Sequence, residues 1–106
     1  MSWRKLTRNA LPESARADRG ETLARSALLA IVLQTIREQN LSQHSAAVRM
    51  GLDQPKVSRL TRGIADEFAI ERLIRFLTAL GRNVDITVHP RVPRRRRGTL
   101  HVGLSS

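Results

Sequence analysis

The sequence predicts a mostly α-helical domain of four to five helices with one short β-strand near its C-terminal end. Three observations lead there. Apolar residues recur every three or four positions over residues 21–39 and again over 70–80. Between those stretches lie two short segments. Each starts behind a side chain that can cap a helix and stops at a glycine that can end one. After Gly81 the apolar spacing changes to strict alternation.

Taken in order, residues 1–20 form a flexible basic arm carrying Arg4, Lys5, Arg8, Arg16 and Arg19, interrupted by Pro12 and Gly20. Trp3 reads as part of that mobile terminus rather than as an anchor to a groove or partner. The next helix runs from Glu21 to Gln39, with Leu23, Ala27, Leu28, Ile31, Val32 and Ile36 on one stripe. Leu29, Ala30 and Leu33 extend the stripe almost all round, so this helix is either central to the domain or shared with a second subunit. Asn40 stops it. Ser42 caps a short helix that Gly51 ends, and Asp53 caps another that starts at Gln54 and Pro55 and stops at Gly63. The clearest helix carries Ile70, Leu73, Ile74, Leu77 and Leu80, and Gly81 closes it. Val84, Ile86 and Val88 then alternate with Asp85 and Thr87 as a strand would. The tail, 91–106, holds the unbroken run Arg94, Arg95, Arg96, Arg97 and a second, weaker alternation at Leu100, Val102 and Leu104.

Composition narrows the function. A chain of 106 residues is one small domain, and with only Trp3, Phe68 and Phe76 aromatic its core must be largely aliphatic. Cysteine is absent, which excludes disulfides, thiolate metal sites and cysteine nucleophiles, and makes a reducing cytoplasm the expected location. Nineteen basic residues oppose nine acidic ones, for a net charge of +10, and seventeen of the nineteen are arginine. That excess calls for a polyanionic partner: nucleic acid, an acidic protein or an anionic membrane. The longest apolar run, Ala27 to Leu33, is far shorter than the ~20 residues a membrane span needs, and no secretory leader follows the basic start.

The two short helices around Gly51 meet the physical needs of a helix-turn-helix. Ala47 is small where the helices cross. Gly51 supplies the positive φ of a tight turn. Val57 and Leu60 pin the second helix to the domain and leave Gln54, Lys56, Ser58, Arg59 and Arg62 facing outward. Those side chains suit DNA: glutamine can bond adenine bidentately, arginine and lysine can bond guanine, and serine can reach bases or phosphate. Four basic residues and one acidic residue lie between Gln43 and Gly63.

At these residues the chain resembles a family. LSQHSAAVRMGLDQPKVSRLTRGIADEFAIERLIRFLTALGRNVDITV is similar to the Cro/repressor-type (XRE) helix-turn-helix domains, and most similar to the HigA-type antitoxins encoded with HigB-type toxins. The matching elements are SQ opening the first helix of the pair, AAVRMG, QPKVSRLTRG and the helix-LG-strand unit ending in VDITV. The likeness spans roughly residues 21–90, taken as the DNA-binding domain. It implies a repressor-like fold in which Gln54, Lys56, Ser58 and Arg59 enter the major groove while Gln43 and Arg62 hold the DNA backbone. It further implies a sequence-specific repressor on a palindromic double-stranded operator, acting as the autoregulating antitoxin of a HigBA-like pair with a HigB-like toxin as partner. A solitary phage-type regulator and a module that mainly neutralises a toxin RNase are the alternatives. The arginine run departs from the pattern. It reads as an arm on DNA phosphates, a strip for an acidic partner protein, or a solvated tail, the first being favoured.

One such motif reads few base pairs, so a homodimer is expected, with the helix 21–39 and the edge of strand 84–88 as candidate seams. No enzyme, metal or cofactor is expected. His44, His89 and His101 lack ligand spacing, Ser105 and Ser106 have no base placed near them, and Asp66 with Glu67 are expected to favour the positive end of a helix dipole.

Overall fold

The computed structural model describes residues 13–105, with side chains from Arg19 onward. Among the described residues four α-helices follow one another: α1 (Glu13–Glu38), α2 (Gln43–Met50), α3 (Gln54–Thr61) and α4 (Ile70–Ala79), with one 3-10 turn, Ala65–Glu67, ahead of α4. The helix predicted to start at Glu21 therefore starts at Glu13, and Gly20 lies inside it instead of breaking it. Residues 1–12, with Trp3 and most of the basic arm, lie outside the described residues.

All four helices end in one way. At each end a residue with positive φ follows the last turn: Asn40, Gly51, Gly63 and Gly81. Its N–H and the next one turn back to the helix carbonyls. Leu41 N–H reaches Ile36 C=O at 3.1 Å, Leu52 reaches Ala47 at 2.9 Å, Ile64 reaches Arg59 at 3.2 Å and Arg82 reaches Leu77 at 2.9 Å. This paired bonding satisfies carbonyls that would otherwise lack donors, and it fixes where the chain leaves each helix. The starts of α2 and α3 are equally defined, whereas α4 begins after Ala69 without a side-chain cap. Ser42 Oγ accepts the Ser45 N–H at 3.0 Å and Asp53 Oδ1 accepts the Lys56 N–H at 2.9 Å.

α1 is the central element. It packs against α4, the 3-10 turn and α3, which covers Leu28, Leu29, Val32 and Ile36 of its apolar stripe and leaves Leu23 and Ala30 exposed. Leu28, Leu29, Val32 and Ile36 from α1 meet Ala46, Ala47 and Met50 from α2, Val57 and Leu60 from α3, and Leu73, Phe76, Leu77 and Leu80 from α4. Phe68 meets Phe76 edge-on with ring centroids 5.8 Å apart. The one buried polar side chain among the described residues, Thr35, donates its hydroxyl to Ile31 C=O at 2.7 Å, so the core strands no polar group there.

The expected strand is absent: no strand forms among the described residues, neither at 84–88 nor at 100–104. The alternation is present, but a strand also needs a neighbouring backbone to bond, and none of the described residues supplies one. Val84 packs against the core, whereas Ile86 and Val88 are 76% and 89% exposed. Val102 also returns to the core. The two extended stretches, 82–89 and 99–105, together flank an apolar groove floored by Ala24, Leu28 and Ile31 of α1 and Ile70, Ile74 and Leu77 of α4. The arginine run therefore sits in a loop whose two ends are both held against the domain.

Candidate nucleic-acid interface

α3 is positioned by its buried face. Val57 and Leu60 are wholly inaccessible, and their three-residue spacing fixes the rotation of an eight-residue helix about its axis. The rotation leaves Gln54, Lys56 and Arg59 exposed and Ser58 half-buried on the other face. α2 buries Ala46, Ala47 and Met50 against the same core, and Ala47 and Ala46 keep side-chain volume small where α2 approaches α3. Gly51 adopts φ 68° and ψ 33°, the left-handed conformation the short turn requires. Of the four residues named from sequence for the motif, Ala47, Val57 and Leu60 are buried and Gly51 has a positive φ.

Gln43 opens α2, and its side-chain amide donates to Thr61 Oγ1 at 3.4 Å. That contact brings Gln43 beside Thr61 in the last turn of α3, the residue before Arg62. Arg62 is exposed, as is His44 on α2. Arg94, Arg95, Arg96 and Arg97 are exposed too, around a turn in which Arg95 N–H bonds Val92 C=O at 3.0 Å. They belong to the C-terminal loop beside the α1–α4 groove and not to the helix pair.

Contacts of Glu67, Arg49 and Gln39 that the sequence does not reveal lie on and behind this surface. Arg59 Nη1 lies 3.4 Å from Glu67 Oε2. Asp66 and Glu67 both lie in the first turn of the 3-10 segment before α4, and the acid in the first turn of α4 is Glu71. Behind α2, Arg49 Nη1 donates to Gln39 Oε1 at 3.1 Å, and Gln39 Nε2 donates to Leu80 C=O at 2.6 Å. Neither contact had a sequence signal, because each joins residues on different elements. Among the described residues no three of His, Asp and Glu stand close enough together to hold a metal ion, and no helix is long and apolar enough to cross a membrane.

A protein-family model described as a helix-turn-helix domain matches residues 12–89. A solved structure whose name provisionally places it in the XRE family of transcriptional regulators superposes with a TM-score of 0.76 at 32% identity, covering 83% of this chain and 99% of that one. No curated protein is significantly similar to the chain.

Proposed function

The chain belongs to the helix-turn-helix family, of the XRE type, and on that premise we propose that it is a sequence-specific DNA-binding repressor. Transcriptional regulation through DNA is the activity the family membership supports. The repressor role, the operator contacts and the dimer are the finer parts of the proposal. The observation that carries it is α3 itself: pinned by Val57 and Leu60, it exposes Gln54, Lys56 and Arg59 along one face, with Gln43 and Arg62 at its end. In this reading Gln54, Lys56, Ser58 and Arg59 meet base edges in the major groove, and Gln43 and Arg62 meet phosphates. The loop of Arg94 to Arg97 adds phosphate contacts outside the motif. No catalytic step and no cofactor belong to the proposal.

A homodimer on a palindromic operator follows from the short reach of one such helix. The unpaired, apolar stretch around Ile86 and Val88 is the seam, each copy supplying the backbone partner that the other lacks. The autoregulating antitoxin role, with a HigB-like toxin as partner, rests on the sequence resemblance alone. Its test is co-purification of a small toxin encoded beside this chain.

The DNA reading is tested by selecting binding sites from random duplexes and measuring affinity against salt. With about four phosphates paired per subunit, roughly −0.9 per phosphate gives a slope of log K on log salt of about −7 for a dimer. Failure to enrich any sequence, or a slope shallower than about −2, overturns the proposal.

A further inference from the structure

We propose that Glu67 is a positioning residue for Arg59, holding its guanidinium for base recognition and withdrawing it from phosphate. The inference rests on the DNA reading above and deepens it.

The two ends of the Arg59–Glu67 pair differ in how firmly they are held. Glu67 ends the 3-10 turn Ala65–Glu67, and the turn is fixed on both sides. Ile64 N–H bonds Arg59 C=O at 3.2 Å and Phe68 N–H bonds Ala65 C=O at 3.0 Å. Phe68 itself is buried against Phe76. The carboxylate is thus carried by a rigid element, while the guanidinium rides on a long flexible stem. The pair is 45% and 41% exposed and joined through a single nitrogen at 3.4 Å, too solvated to add much to stability. Its consequence is for orientation. One carboxylate oxygen on Nη1 leaves the other donors of the fork free, and a fork so held can still meet O6 and N7 of guanine together.

The charge pattern points the same way. Between Gln43 and Gly63 the sole carboxylate is Asp53, already used to cap α3. Among the described residues neither Lys56 nor Arg62 is paired with an acid; of the cations on this surface, Arg59 alone is. In a chain of net charge +10 built to attract phosphate, an acid beside the recognition helix weakens non-specific attraction. Placed on Arg59, it makes that arginine the one cation on this surface with an acid beside it, its guanidinium drawn toward the 3-10 turn.

The experiment selects sites from random duplexes with wild type, Glu67→Gln, Arg59→Ala and the double variant, and measures affinity on cognate and random DNA. Wild type should show a guanine preference at one position of each half-site. Glu67→Gln should melt at the wild-type temperature and weaken that one preference about fivefold, the low end of what a bidentate contact supplies. It should bind random DNA more tightly. In the Arg59→Ala background, Glu67→Gln should leave base preference unchanged. If Glu67→Gln raises affinity on every sequence alike with the guanine preference intact, Glu67 is only a repulsive charge and the proposal is overturned. An effect on base preference that persists without Arg59 overturns it too. If wild type itself shows no base preference, the DNA reading fails first, and that result is distinct from the other two.

Discussion

Gly51→Ala isolates the backbone cost of the turn between α2 and α3. Gly51 holds φ 68° and ψ 33°, and a Cβ built there would meet no heavy atom within 4 Å. Collision therefore contributes nothing, and the change acts through conformation alone. An L-residue in the left-handed region costs about 1–2 kcal/mol. Alanine also stiffens the unfolded chain, which returns roughly 0.4–1 kcal/mol. The expected net loss is about 1 kcal/mol, or about 4–8 °C in Tm for a domain of this size. Asparagine provides the control, because Asn40 already occupies the equivalent position after α1 with φ 54°. Gly51→Asn should thus fall between wild type and Gly51→Ala, and Gly51→Val, being β-branched, should be lowest. Thermal unfolding followed by circular dichroism ranks the four proteins. An unchanged Tm for Gly51→Ala, or an asparagine variant less stable than the alanine one, would refute the idea that φ at this residue limits the turn.

Other substitutions test the remaining parts. Ala47→Leu should cost about 1–3 kcal/mol by overpacking the contact of α2 with the core, seen as a lowered Tm; an unaltered Tm would mean the site has room to spare. Gln54→Ala should lose about 1–3 kcal/mol on the selected operator and far less on random DNA, whereas Arg62→Ala should weaken both alike; equal losses from the two variants on every sequence would erase the distinction between base and backbone contacts. Replacing Arg94, Arg95, Arg96 and Arg97 by serine should leave Tm unchanged and make the salt slope less negative by about 3–5 units per dimer, and an unmoved slope would remove this loop from the DNA surface. Deleting residues 91–106 should instead lower Tm, because it takes Val102 off the core; a truncated chain as stable as wild type would contradict that packing.

The sequence made the helix pair legible because its signals are local. Ser42, Asp53, Gly51 and Gly63 each act within a few residues, and caps and stops are where they were expected. α4 was clear for a similar reason, its apolar spacing being uninterrupted. The first eight residues of α1 were hidden: from Glu13 to Gly20 the chain has no apolar period, and a glycine there resembles a breaker. Strand 84–88 failed in the opposite sense. Its alternation is real, but pairing is a non-local property, and alternation says nothing about where a partner backbone lies. At the interface, the outward face of α3 followed from Val57 and Leu60. The Arg59–Glu67 pair did not, because it depends on how the chain folds back after Gly63.

Gln39 gives the molecule a shared point of failure. Its amide clasps Leu80 at the end of α4 with one atom and Arg49 at the end of α2 with another, just past the end of α1 itself. Fraying at any one of these termini loosens the other two, so local opening there should be concerted. Native-state hydrogen exchange would then report one common opening free energy for the Leu41 and Arg82 amides, distinct from that of Ile64 after α3, which the clasp does not reach. In that case α3 can open on its own schedule while the rest of the scaffold opens together or not at all.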